Sequence, residues 1–136
     1  MQKPEPTLAD LQQAFRSHGV EPPAAYAWIV AHRLIGFEDA SPLEPWHLCT
    51  VGEIMPLGKR WRKIKVGTEL IPFARDQRGD DLACFDVDKQ KVIRVCEIHY
   101  DLGPPVYVEI GSKYETIWDW LRGALDDAKR WAEMKR

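Results

Sequence analysis

The sequence lacks most of the patterns that announce chemistry in a small protein. Its three cysteines, Cys49, Cys84 and Cys96, are odd in number and widely spaced, with no Cys-x-x-Cys pair. Such a set makes neither a disulfide framework nor a zinc site, so buried reduced thiols are expected. No apolar run approaches the ~18 residues that a membrane-spanning helix needs. Residues 1–6 carry acid and proline and lead into no apolar stretch, so they read as a flexible tail and not as a signal peptide. Reduced thiols without a leader fit the cytoplasm.

Catalytic motifs are also missing. Ser17, Ser41 and Ser112 stand in no Gly-x-Ser-x-Gly, and no glycine-rich phosphate loop occurs. His18, His32, His47 and His99 form no His-Glu-x-x-His pair. His47 and Cys49 could share one strand face, but zinc needs two further ligands. The expectation is a non-enzyme without metal or cofactor. Charge of one sign is lacking too: 19 Lys and Arg against 21 Asp and Glu leave a formal net charge of −2. That excludes a globally basic nucleic-acid binder and gives no reason to expect a membrane partner.

What is present describes one globular domain over residues 1–136. Hydrophobic residues make up 45% and charged residues 29%, enough to bury a core without staples. Six tryptophans are many for this length. Tryptophan is enriched at interfaces, so the composition asks whether some of them meet a partner.

Thr7-Leu8-Ala9-Asp10 has capping-box spacing and opens a first helix, which Gly19 can stop. Pro22-Pro23 opens a second, with Tyr26, Ile29, Val30 and Leu34 on its apolar side and Gly36 as its end. Trp46 to Cys49 reads as a short strand, and Thr50 to Glu53 as a capped short helix. From about residue 68 the period becomes that of strands. Leu70 to Ala74 is a first strand, whose Pro72 marks an edge or a bulge. Leu82 to Val87 and Val92 to Ile98 follow, joined by the loop Asp88 to Lys91, and Val106, Val108 and Ile110 alternate as a fourth. Ser112-Lys113-Tyr114-Glu115 has capping-box spacing for a long last helix running to about Met134. Its apolar stripe reads as Tyr114, Ile117, Trp118, Leu121, Leu125, Ala128 and Ala132. The fold class is α+β: a largely antiparallel sheet of about four to six strands, N-terminal helices, and a C-terminal helix packed on the sheet.

Several of these segments resemble the SUKH superfamily. The sharpest is Leu70-Ile71-Pro72-Phe73-Ala74, a turn with Gly79-Asp80, then Leu82-Ala83-Cys84-Phe85-Asp86. Pro23 with Tyr26, and the helix from Tyr114 to Leu121, are similar to two further family segments. The chain differs in having Gln77 where the family turn often has glycine, and no Asn-Gly pair follows the second helix. The resemblance covers most of residues 8–125. It implies a mixed α+β domain without catalysis, of the kind found in fungal cell-wall-synthesis regulators and in bacterial immunity proteins. Those immunity proteins are cytoplasmic and block a toxin by binding it.

Two regions are candidates for partner contact. Asp76, Asp80, Asp81, Asp86 and Asp88, with Arg78, cluster around the strand–turn–strand. They serve either as turn caps or as an acidic surface for a basic partner. The spacing does not match a calcium loop. Trp120 and Trp131, eleven residues apart, nearly eclipse each other on the last helix. They form either part of a wide buried face or an exposed ridge that anchors a partner. Trp28 and Trp46 lie in segments expected to pack. The run Lys59, Arg60, Arg62, Lys63 and Lys65 around Trp61 reads as a solvated loop, or as a contact for an acidic partner or a nucleic-acid strand. Together with the resemblance, these features point to a protein-binding domain, foremost a toxin-neutralising immunity protein. The alternatives are a regulatory or scaffold module, a homodimer, and an unrecognised small hydrolase.

Overall fold

The computed structural model describes residues 5–57, 69–78, 81–101 and 107–134. The fold is α+β, with three helices and a five-stranded antiparallel sheet among these residues. The helices are α1 (Leu8–Arg16), α2 (Ala24–Ala31) and α3 (Ile117–Met134). The strands are β1 (Trp46–Leu48), β2 (Glu69–Asp76), β3 (Leu82–Val87), β4 (Ile93–Asp101) and β5 (Tyr107–Tyr114), in spatial order β1-β2-β3-β4-β5.

Local signals start and stop the first helix as the sequence indicates. Thr7 Oγ1 accepts from the Asp10 N–H at 3.1 Å, and Asp10 accepts from the Thr7 N–H at 3.0 Å. Gly19, at φ +76°, takes the left-handed position, and the Val20 N–H closes on the Phe15 carbonyl. α2 ends earlier than its sequence suggests. Arg33 adopts φ +55° and Leu34 N–H bonds to the Ile29 carbonyl, so the same left-handed stop is made by an arginine three residues before Gly36. Gly36 has another task. A Cβ there would stand 2.8 Å from the Ala40 carbonyl oxygen, because the chain folds tightly over the 3-10 turn Glu38–Ala40.

Pro72 has no N–H to give the ladder, and β2 slips register beside it. Pro72 pairs with Cys84 and Ala74 with Ala83, leaving Phe73 as the extra residue of a bulge. β2 is therefore an interior strand, and of the two readings of Pro72 the bulge is the one realised. All three helices cover one face of the sheet, around Phe15, Tyr26, Ile29, Phe73, Phe85 and Trp120. The opposite face carries Leu70, Leu82, Cys84, Cys96 and Ile98 with Leu57. All three cysteines are buried and unbonded to one another.

The last helix differs from its reading in start and in phase. Ser112 to Tyr114 belong to β5, and the helix is capped instead by Thr116, whose Oγ1 accepts from the Asp119 N–H at 3.2 Å. The buried side of α3 consists of Ile117, Trp120, Leu121 and Ala124. It is centred roughly 60° round the helix from a stripe that includes Tyr114 and Trp118. Trp120 is wholly buried (0% exposed) while Trp118 is 43% exposed. Trp120 is thus a core residue and not part of an exposed ridge, which corrects that reading. Trp28 likewise stands 47% exposed although its segment packs.

This assignment of faces is testable. Trp120→Ala is expected to lower unfolding free energy by about 3–5 kcal/mol, as large core truncations do. Trp118→Ala should cost less than about 1 kcal/mol. Urea titrations of the two variants check the contrast.

Candidate interaction surfaces

Two surface features stand out, a polar corner and an aromatic face. The corner lies where the hydrophobic core ends, beneath the second half of α3. Asp76 closes β2 and is buried (3% exposed). Burial of a carboxylate demands partners, and Arg78 supplies them. Its Nη2 and Nε donate to Asp76 Oδ2 and Oδ1 at 2.7 and 3.1 Å, and its backbone N–H donates to Oδ1 at 2.9 Å. Arg78 Nη2 also reaches to 3.8 Å from Asp127 Oδ1 on α3. Asp127 Oδ2 accepts from Trp46 Nε1 at 3.0 Å. One helical turn further, Trp131 Nε1 donates to Glu44 Oε2 at 3.0 Å.

β4 and β5 complete the corner. His99 Nδ1 lies 2.8 Å from Asp81 Oδ2. Its ring lies against Gly111, where a Cβ would crowd Nε2 and force the imidazole to shift. Tyr114 Oη donates to Glu97 Oε1 at 3.4 Å. Burial, and after it the negative charge of Asp127, push the Glu97 carboxyl above its ordinary pKa. Burial and the neighbouring Glu97 raise the Tyr114 phenol as well.

The aspartates singled out in the sequence therefore divide. Asp76, Arg78 and Asp81 come together at the corner. Asp76 itself is buried and locally paired, which leaves it no surface to offer. Asp88 caps its own hairpin, accepting from the Gln90 and Val92 N–H groups at 2.8 and 2.9 Å and pairing with Arg94. The Val92 N–H above all holds its carboxyl below the ordinary range. Asp86 lies on the opposite face of the sheet, half-buried, and its Oδ1 has no hydrogen-bond partner among the described residues. Asp80 and the basic run around Trp61 lie outside the described residues. Glu97, His99, Tyr114 and Asp127 were not apparent in the sequence, because only the strand register and the docking of α3 bring them together.

The aromatic face is built by two helices. Trp28 on α2 stacks on His32, with ring centroids 3.9 Å apart and planes at 22°. His32 Nδ1–H donates to the Trp28 carbonyl at 2.9 Å, which fixes the imidazole under the indole. Trp118 on α3 meets Trp28 edge to face at 5.7 Å. Leu125, two turns along α3 from Trp118, is 54% exposed. Trp131, half-buried and bonded to Glu44, lies on another side of α3.

A cleft of about 370 Å³ lies elsewhere, between the start of α1 and the end of α2. Its walls include Leu8, Val30, Phe37 and Pro42, and its lining has no histidine, cysteine or aspartate among the described residues. Among those residues no group of three or more His, Cys, Asp and Glu side chains is placed to hold a metal ion. No helix among them is long and apolar enough to cross a membrane. Comparison with protein-family profiles, with curated proteins and with solved structures found no match to this chain.

The raised Glu97 carboxyl gives the corner a sign. A carboxyl that titrates higher when folded favours folding in its protonated form. That contribution is complete below the ordinary carboxylate pKa and is lost as pH rises through the folded value. Glu97→Gln keeps an acceptor for Tyr114 and removes the charge beside Asp127. The variant is expected to melt above the native chain near neutral pH, with the gap closing below about pH 4. Melting curves across that pH range check it.

Proposed function

We propose that this chain is a protein-binding domain of the SUKH kind that captures and blocks a toxin domain in the cytoplasm. The observation that carries the reading is the Trp28–Trp118 pair, two half-exposed indoles from different helices in mutual contact at the surface. Exposed tryptophans in contact are costly to leave in water and are the residue type most enriched among binding hot spots. His32 stacks beneath Trp28 and holds one of the rings in place before any partner arrives. A pre-oriented anchor loses little side-chain entropy on binding.

A further point supports the reading. The residues that carry the resemblance, Ile71, Phe73 and Phe85 among them, are buried and belong to the scaffold. The scaffold leaves the helical face to a partner. The contact region is then the α2–α3 face in place of a Trp120–Trp131 ridge. The contact of His99 with Asp81 favours a second reading, acid–base chemistry at the corner. The ring's close fit against Gly111 and the bonding of Asp76 and Asp127 within the fold favour a structural clasp over it.

The test is protection. Where a toxin domain is encoded beside this gene, cells that express it should survive when the native chain is co-expressed. The double variant Trp28→Ala, Trp118→Ala should lose at least about tenfold in affinity for that domain while remaining folded, as hot-spot truncations do. Absence of both capture and protection by the native chain would overturn the proposal. Full protection by a His99→Ala variant would speak against chemistry at the corner.

A further inference from the structure

The exposed side of α3 carries a pattern that specifies more than an apolar anchor. At 100° per residue, Trp118 and Leu125 fall in one row. Arg122 and Lys129 fall in the next, and Asp126 and Glu133 in a third. All six residues are exposed. The rows run parallel to the helix axis in the order apolar, basic, acidic.

Among the described residues the basic row is unpaired. Arg122 and Lys129 form no ion pair among the described residues, although Asp126 and Glu133 each stand four positions further on. The order explains why. A cation placed N-terminal to its acid is the weaker orientation for pairing along a helix. Asp119, in contrast, is engaged by the Thr116 hydroxyl at the helix cap. Two cations thus lie open beside two exposed apolar side chains, and Trp28 widens the apolar row at its N-terminal end.

From this we infer that the docking element of the partner is an amphipathic helix with a row of carboxylates beside its apolar row. The inference rests on the reading of the chain as a protein-binding domain and adds the chemistry of what it binds. The span from Trp118 to Lys129 is about 16 Å, three helical turns, which suits a helix laid along a helical face. Carboxylates on the partner meet Arg122 and Lys129 while its apolar residues cover Trp118, Leu125 and Trp28. Aromatic surface beside arginine and lysine would also suit a nucleic-acid strand. The third row argues against that occupant. Asp126 and Glu133 lie immediately beyond the cations and would repel a phosphate backbone following the same face, whereas a protein helix can place basic residues opposite them.

The experiment uses the full chain and three probes. The first is a helical peptide of about 18 residues, long enough to be stable when alanine-rich, with a leucine row flanked by glutamates. The second replaces those glutamates with lysines. The third is a single-stranded oligothymidylate. Binding is followed by anisotropy of a label on each probe. The glutamate peptide is expected to bind about tenfold more tightly than the lysine peptide. In the variant Arg122→Glu, Lys129→Glu the preference should invert, and in Trp28→Ala, Trp118→Ala both peptides should weaken. Equal binding of the two peptides by the native chain, or tighter binding of the oligothymidylate, overturns the inference without any variant being needed. If toxin capture succeeds while the peptide preference is absent, this inference fails alone. If the preference holds but no toxin is captured, the toxin reading fails and the docking chemistry stands.

Discussion

The position of the Trp120 indole is the constraint on which the rest of the molecule turns. It meets Trp46 of β1 edge-on at 5.3 Å and Phe73 of β2 at 5.0 Å. Phe73 stacks on Phe85 of β3 at 4.4 Å, and Phe85 receives Phe15 of α1 and Tyr26 of α2. One connected set of rings therefore ties every helix to the first three strands. Each such contact is worth about 0.5–1.5 kcal/mol beyond the area it buries. The bulge at Phe73 is part of the same arrangement, since the extra residue lets Phe73 and Ala74 both reach the helical side of the sheet. The arrangement has a cost: the Tyr26 hydroxyl and Trp120 Nε1 are buried with no hydrogen-bond partner among the described residues, at about 1–3 kcal/mol for each such group.

Placing Trp120 in the core decides what α3 shows to solvent. Residues two apart on a helix point about 160° from each other, so Trp118 must face outward when Trp120 faces inward. The second half of α3 has no large aromatic in the core and is held by polar contacts. Asp127 accepts from Trp46, and Trp131 donates to Glu44. The polar corner thus fixes the rotation of the helix where aromatic packing ends. Repulsion between Glu97 and Asp127 opposes that fixation at neutral pH, and the Arg78 bridge to Asp127 works against the repulsion.

What could be read from the sequence follows the range of the interactions involved. Thr7 with Asp10, Thr50 with Glu53 and the Asp88 loop are contacts within a few residues, and each forms as its spacing indicates. β2, β3 and β4 form over segments read as strands, Val106 of the fourth lies outside the described residues, and Pro72 marks the bulge. Errors arise where two local solutions compete. Ser112 and Thr116 each begin a capping pattern, and four residues of difference move the helix start. Counting Tyr114 into the apolar stripe then rotates the whole face, which takes Trp118 into it and leaves Trp120 between a buried and an exposed reading. The correct phase has a signal of its own: Arg122 and Lys129 flank Trp118, while Ala124 and Ala128 mark the side that approaches the sheet. The corner offers no comparable signal. Asp81, Glu97, Tyr114 and Asp127 meet only after β3, β4, β5 and α3 have found their register, and no periodicity within one element encodes that.

The tryptophan surplus resolves into separate duties. Trp46 and Trp120 build the core, Trp46 and Trp131 also donate hydrogen bonds that hold α3, and Trp28 and Trp118 are displayed. These duties depend on one another. An exposed aromatic pair on a loosely held helix would lose entropy on binding and show little specificity. Here α3 is fixed at one end by ring packing and at the other by two indole hydrogen bonds. The rows beside Trp118 are therefore presented at a set angle to α2. Under the proposed docking, a face with apolar, basic and acidic rows in fixed order would select by mismatch as much as by attraction, because a partner with its charged rows reversed would place like charges together along three turns. The same core that stabilises the fold thereby sets the order in which α3 shows these rows, which is the property the proposed docking depends on.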